Sequence, residues 1–517
     1  MTAGAEDVPA LADAPPGAGV AAGPGAPPRS DRSSLAANAM AYWFASGTTL
    51  VGSLVRGKVA AVVLGDRGLG VTGTLAVLTA FVVTLASLGL GIGGVKLISE
   101  ARGRGDDEGA QRLVSFLVWV PVTVGTAAFL VTVPLSGWLS GLMLDKGGYG
   151  SYVVVTMLAV PFSLLASSFQ LVLQGYERAG RLAVTSVATA VLVTLASVPL
   201  TTEFGLDGAI AATPLAAVVT AAVFVARDPW IARTALRLHR VAGAVRVQLW
   251  TLAAASVVAS LMTYGADTIV RARASHVLGI PLNGLYQPVQ MFSSVVMPQL
   301  VGALSLVLLP RLSYEFGAER REEVAAVLRG GARAAAVLAV TVSLMTMALA
   351  EVFVVVFFNT EFLPSAHVLA VQVAAEVPRF LAYVLGAAVV PAGLIRQWVG
   401  IGVVSTLARV GVAAGLMPSM HLYALALSVV VEWAVALALT TAVLWRAIGW
   451  RPGRDLVALV LAAAAVVALA VLVSLRAPWA PTLLLAATAV WLAAVGRREV
   501  ALVAHALRLD RFRGASA

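Results

Sequence analysis

Hydrophobic positions in this chain run in long unbroken stretches rather than in the alternation of half-buried strands or the one-faced stripe of soluble helices. Crossing about 30 Å of hydrocarbon takes roughly 20 apolar residues in a helix. Stretches of that kind lie near 36–63, 71–98, 113–135, 151–173, 182–201, 207–226, 248–270, 284–309, 330–350, 366–390, 397–416, 420–445, 456–475 and 479–496. Lipid satisfies no backbone polar group, so such runs predict helices. A barrel would show short alternating segments instead. The pattern predicts an all-α polytopic membrane protein with about 14 transmembrane helices.

Composition strengthens that reading. Sixty per cent of the 517 residues are hydrophobic and only 12% are charged. The net charge of +10 would suit nucleic acid, but its distribution argues otherwise. With the N-terminus placed in the cytoplasm, the even-numbered loops and the C-terminal tail carry 23 Lys and Arg. The odd-numbered loops carry five, namely Arg67, Lys146, Arg271, Arg273 and Arg476. This is the positive-inside pattern, and it sets both termini in the cytoplasm. Basic inner loops also suit an anionic inner leaflet, so the expected surface partner is membrane lipid and not nucleic acid. The absence of Cys excludes disulfides, thiolate chemistry and Cys-based metal sites. No phosphate-cradling Gly-Lys-Ser/Thr loop is present. The five His residues lack metal-ligand spacing, and no cofactor is implied.

The expected organisation is a disordered cytoplasmic tail (1–34), a six-helix lobe (35–226), a cytoplasmic linker (227–247), a second six-helix lobe (248–446), two further helices (447–496) and a basic tail (497–517). The tail is Ala/Gly/Pro-rich and lacks the basic start and short apolar segment of a signal peptide. In the linker, Ile231, Ala235 and Leu238 fall at helical spacing among arginines, which predicts an amphipathic helix on the inner surface. Two parallel lobes follow from an internal repeat. Laying Leu64-Gly65 on Leu278-Gly279 also lays Gly70 on Gly284, Ser99 on Ser313 and Glu108 on Glu322, with no gap between them. An offset of six spans keeps both copies in one orientation, about an axis along the membrane normal, with a cavity between them.

Ionisable residues within spans are costly and are candidate sites by default. Arg56 and Lys58 lie near the outer end of span one, and Arg271 and Arg273 near that of span seven. The repeat lays one basic pair on the other. Together they suit a pyrophosphate, because guanidinium presents a planar fork to phosphate oxygens. Alternatively, they snorkel to the outer headgroups. Asp267 stands one turn before Arg271, either as its local ion-pair partner or as a site for a coupling cation or proton. Glu376 and Arg379 in span ten present the same two readings. Arg409 and Glu432, deep in spans eleven and twelve, are candidates to pair with each other. Pro288 and Pro298 interrupt span eight, through a bend or through packing. Trp43, Trp138, Tyr149, Tyr152, Trp445, Trp450 and Trp479 read as an interfacial belt.

Several of these segments resemble a known group. Leu64-Gly-Asp-Arg-Gly-Leu-Gly70, then Leu88-Gly-Leu-Gly91 leading to Lys96-Leu-Ile-Ser-Glu100, resembles the first helix pair of the multidrug/oligosaccharidyl-lipid/polysaccharide (MOP) exporter superfamily. Tyr264-Gly-Ala-Asp267, Leu278-Gly279, Gly284-Leu-Tyr286 and Pro310-Arg-Leu-Ser313 resemble the start of its second lobe. Within that group the chain looks most like Wzx-type polysaccharide transporters. The resemblance implies a non-enzymatic flippase that moves a polyprenyl-pyrophosphate-linked oligosaccharide from the inner to the outer leaflet of a bacterial plasma membrane. It would work by alternating access of a cationic central cavity, alongside the polymerase or glycosyltransferases of the same pathway. Thr49-Leu-Val-Gly-Ser-Leu-Val-Arg56 to Gly65 also resembles the first helix of lipid II flippases. Those carry an Arg early in helix eight, where this chain has Tyr286-Gln-Pro-Val-Gln290. The alternatives are a multidrug or cation exporter of the same superfamily, or a membrane-embedded glycosyltransferase or glycan polymerase. The exporter prefers acidic cavity residues. The enzymes usually carry an acidic pair in a sizeable outer loop, and every outer loop here is short.

Overall fold

A computed structural model describes residues 32–144, 147–237, 257–258, 261–297, 321–389, 391–477 and 480–496, with isolated positions between 308 and 320. Residues 1–31 and 497–517 of the tails, residues 238–247 of the linker, Trp479 and Pro298 lie outside the described residues.

The chain is an all-α polytopic membrane protein. Helix α1 (Arg32–Ala86) carries the first two predicted spans and α2 (Leu90–Gly103) extends the second. Helix α3 (Asp107–Leu144) is the third, and α4 (Gly150–Met157) with α5 (Ala159–Gly175) forms the fourth. Helix α6 (Ala179–Arg227) carries the fifth and sixth, and α7 (Pro229–Leu236) follows. The seventh ends as a π-helical turn (Leu261–Gly265) and α8 (Ala266–Val277). The eighth begins as α9 (Ile280–Leu285) and α10 (Gln287–Met291). Helix α11 (Arg321–Phe357) is the ninth, and α12 (Pro364–Val373) with α13 (Glu376–Gly386) is the tenth. Helices α14 (Ile395–Met420), α15 (Leu422–Ile448), α16 (Arg454–Arg476) and α17 (Ala480–Trp491) complete the set. Among the described residues, nine helices are long and apolar enough to cross a membrane.

A helix rises about 1.5 Å per residue, so α1 and α6 are each too long for one crossing. A glycine with positive φ divides each of them: Gly65 (φ 63°, ψ −167°) and Gly205 (φ 56°, ψ −128°). Only glycine enters the Gly65 conformation without a Cβ penalty.

The repeat read from the sequence recurs in the backbone. Gly279, the repeat partner of Gly65, again has positive φ (83°, with ψ 162°). Helix α3 starts at Asp107 and α11 at Arg321, positions that the same alignment superposes. The bend in span four at Leu158 (−58°, −22°) is matched in span ten at Ala374 (−59°, −22°). The Gly205 turn is matched at His421 (φ 50°, ψ −127°). The members of these last two pairs stand slightly further apart than Gly65 and Gly279, so the second copy carries a short insertion after its third helix begins.

The last two helices pack on the ninth. Small residues Ala332, Ala335, Ala336 and Ala339 are fully buried on α11, in one core with Ala463, Val467, Leu484 and Trp491. A stripe of small side chains lets helix backbones approach closely. Helix α7 is docked rather than loose. Ile231 and Ala235 are buried, Trp119 Nε1 donates to the Ala235 carbonyl (2.8 Å), and Ser115 Oγ donates to that of Thr234 (2.9 Å). Leu238 lies outside the described residues. One member of the expected aromatic belt is misplaced: Trp450 is buried, whereas Trp138 and Trp445 are exposed.

Candidate functional site

Two features stand out where the lobes meet and inside the second lobe. The first is a tight seal between the start of span two and the start of span eight. A methyl group placed on Gly70 would overlap the Ile280 carbonyl oxygen, and one on Gly284 would overlap that of Asp66. One on Gly73 would overlap Gln287 Oε1. Glycine is needed here because backbone meets backbone. Asn283 Nδ2 donates to Thr74 Oγ1 across the same seam at 3.0 Å, both residues being fully buried.

Further bonds flank the seal. Lys58 Nζ donates to the carbonyl oxygens of Val355 (2.8 Å) and Phe358 at the end of α11. The last carbonyls of a helix lack intrahelical partners and attract cations. Asn359 Nδ2 donates to the Ala61 carbonyl at 3.2 Å. In the mirrored position, His276 Nε2 meets the Leu142 carbonyl, near the end of α3, at 2.8 Å.

Beneath the seal sits Arg271, buried. Its Nη1 donates to the carbonyl and Oδ1 of Asn283 (2.8 and 2.7 Å), its Nη2 to Gln287 Oε1 (3.0 Å), and it lies 5.0 Å over the Tyr286 ring. Tyr286 then donates to Gln372 Oε1, and Gln372 Nε2 to Ser293 Oγ.

The second feature is a cavity of about 680 Å³ within the second lobe. Spans seven, eight, ten, eleven and twelve wall it. An ion cluster lies on it: Arg409 Nη2 bonds Asp267 Oδ1, and its Nη1 bonds Glu432 Oε2 at 3.3 Å. Arg379 Nη1 meets Glu376 Oε1 at 3.0 Å, and its guanidinium lies 5.3 Å over the Trp433 ring. Tyr383 stacks on Trp433 with ring centroids 5.2 Å apart.

The predicted site residues thus fall in separate places. Arg56 donates to Thr194 Oγ1 (2.8 Å) and Ser53 Oγ (3.2 Å), close to where Gly52 lets spans one and five approach. Arg273 donates to the Ala414 carbonyl at 3.1 Å. Each of the four basic residues has its own partner, and none of them lines the cavity. Asp267 does not pair with Arg271, as its spacing suggested, but with Arg409 on span eleven. The expected pairs Arg409–Glu432 and Glu376–Arg379 are formed. Sequence reading passed over Asn283, Gln287, Gln372, Tyr383, Trp398 and Trp433. The uncharged amides within apolar runs were the signal available for three of them.

No family model matches the chain, and neither does any curated protein. Solved structures do match. A multidrug resistance MATE family transporter of the MOP superfamily, in an inward-facing conformation, matches at 17% identity over 78% of this chain and 94% of that one, with a TM-score of 0.67. The lipid II flippase MurJ, inward closed, matches at 9% identity over 90% and 99%, with a TM-score of 0.65. A MATE family transporter in an outward-facing conformation gives 17% identity, 81% and 96%, and 0.58. The chain therefore has the fold of these MOP superfamily transporters.

Proposed function

We propose that this protein is a transporter that flips a polyprenyl-pyrophosphate-linked oligosaccharide from the inner to the outer leaflet, for cell-surface polysaccharide biosynthesis. The observation that carries the transport reading is the reciprocal glycine seal. Two repeated lobes meet at one end through backbone contacts, and rocking about the repeat axis would open that end as the other closes. The likeness in fold to transporters supports reading it as a transporter and not an enzyme.

Two observations favour a lipid-linked cargo over a small cation. The likeness to MurJ covers 90% of the chain. The residues up to Ile448 are fewer than that, so this likeness takes in part of the final hairpin. In addition, the carboxylates on the cavity are taken: Asp267 and Glu432 by Arg409. A small cation would have to displace the Arg409 guanidinium to reach either of them. The pyrophosphate is assigned to Arg56 and Lys58 and, on the other lobe, to Arg273, all of which would exchange their present partners when the seal opens. Arg271 is assigned to hold the seam. The distribution of Lys and Arg supports an orientation with both termini in the cytoplasm, and the glycan-lipid reading places the protein in a bacterial plasma membrane beside the glycosyltransferases and polymerase of its pathway.

The test is mass spectrometry of polyprenyl-linked lipids in cells lacking the protein. Accumulation of one complete oligosaccharide lipid on the cytoplasmic side is expected. An unchanged pool, with redundancy excluded, would overturn the reading, and a truncated glycan lipid would point to an enzyme.

A further inference from the structure

The cavity in the second lobe has a chemistry that the seal does not explain. Its volume, about 680 Å³, falls in the range of pockets that enclose a small organic ligand. Trp398 and Tyr383 line it and are each 44% exposed. Their rings are large and flat, with one end polar, which suits stacking against the face of a ring. Gln290, Ser294, Thr406 and Thr440 place amide and hydroxyl groups on the same wall.

Charge decides what class of ligand fits. Arg409 faces two carboxylates, and Arg379 faces one, Glu376. Carboxylates outnumber guanidiniums three to two, so the cluster offers an anion no free positive charge. A free cation would have to displace a guanidinium tethered between Asp267 and Glu432. Arg379 and Arg409 lie on the cavity with their Nη atoms already bonded to Glu376, Asp267 and Glu432. With both arginines engaged, the polar groups left for a ligand include the neutral amide and hydroxyls of Gln290, Ser294, Thr406 and Thr440. Hydroxyl and amide carbonyl oxygens on a flat-faced ring meet those groups, and an acyl chain does not.

We propose that this cavity is a saccharide subsite. One or two uncharged sugar residues stack on Trp398 and Tyr383 and exchange hydrogen bonds with Gln290, Ser294, Thr406 and Thr440. The inference deepens the glycan-lipid reading by separating two parts of the cargo. The sugars enter the second lobe, and the pyrophosphate is held elsewhere, by the basic residues near the seam.

The experiment uses the full chain in lipid nanodiscs and saturation-transfer NMR. The probes are three neutral disaccharides (N,N′-diacetylchitobiose, N-acetyllactosamine and cellobiose), with sodium pyrophosphate as competitor. Saturable transfer to at least one disaccharide is expected, not displaced by equimolar pyrophosphate. Trp398→Ala should weaken it roughly tenfold, and Trp398→Phe by less than about threefold. Tyr383→Ala supplies a second wall variant should Trp398→Ala not fold. Three results would overturn the proposal: no saturable transfer with any of the three, affinity unchanged in both wall variants, or displacement by pyrophosphate. The transport reading fails separately. If the disaccharides bind here while cells lacking the protein accumulate no glycan lipid, the flippase assignment falls and the sugar site stands.

Discussion

Gly70 and Gly284 make the same contact from opposite lobes. Gly70 lies against the backbone of Ile280, and Gly284 against the backbone of Asp66. The repeat superposes Gly70 on Gly284 and Asp66 on Ile280, so each lobe supplies one glycine and receives the other. A reciprocal contact of this kind is what a two-fold axis between the lobes requires. Because backbone atoms are met, no rotamer change relieves an added methyl. Gly70→Ala and Gly284→Ala should each disfavour the sealed state by about 1–3 kcal/mol, the usual cost of overpacking. Transport should fall several-fold or more in each. Gly141→Ala, with open space around a helical glycine, should leave transport unchanged. Flippase activity in a reconstituted or cellular assay distinguishes them.

The bond from Lys58 to the end of α11 should bias the same equilibrium. Lys58→Met removes the cation from the Val355 and Phe358 carbonyls and keeps the apolar stem. A charge at a helix C-terminus contributes about 0.3–1 kcal/mol. The sealed state should therefore lose up to about fivefold in population. Thr74→Cys, buried at the seam in a chain with no native Cys, reports this directly. Its labelling by a membrane-impermeant maleimide should speed up about two- to fivefold in the Lys58→Met background.

Arg409 is buried and bonded to two carboxylates from two other spans. Removing one partner of a buried ion pair leaves uncompensated charge and costs about 3–5 kcal/mol. Arg409→Ala should lower the thermal midpoint sharply, and Arg409→Ala with Asp267→Asn and Glu432→Gln should recover most of that loss. Equal midpoints for the single and triple variants would contradict the triad.

Arg271 and Arg56 should behave differently, although the repeat makes them near-equivalents. Arg271 is buried among Asn283, Gln287 and Tyr286, and Arg271→Ala leaves those acceptors unmet, at about 1–3 kcal/mol for each buried group. It should lose thermal stability together with transport. Arg56 is half-buried with two hydroxyl partners, so Arg56→Ala should lose transport with little change in melting.

Sequence alone made the spans legible, because lipid demands length and apolarity in every one of them. It also made the repeat legible, since Gly65 and Gly279 are glycines for a backbone reason that the chain repeats. The partner of Asp267 was not legible. A one-turn spacing reads along a single helix, and Arg409 reaches Asp267 only once spans seven and eleven pack. Arg271 read as a pyrophosphate ligand, a snorkelling residue or the partner of Asp267 because Asn283 and Gln287, its acceptors, lie beyond a turn in the next span. The aromatic wall of the cavity was hidden for another reason: within an apolar run, Trp398 and Trp433 read the same whether they face lipid, core or an internal space. Trp450 shows the converse error, since its place at a span end suggested the interface and packing buried it.

The central claim is that opening and closing the seam carries the cargo, and a reversible lock tests it most directly. His276 and Leu142 are exposed and belong to opposite lobes, with the imidazole 2.8 Å from the Leu142 carbonyl. Cysteines at these two positions, in a chain with none of its own, can be joined in cells by a short bis-methanethiosulfonate, each thiolate displacing a sulfinate to form a disulfide that a reductant later cleaves. The account predicts that the joined protein accumulates lipid-linked glycan on the cytoplasmic side, and that cleavage of the reagent restores the normal pool. Fully cross-linked protein that keeps the pool at its normal level would contradict it.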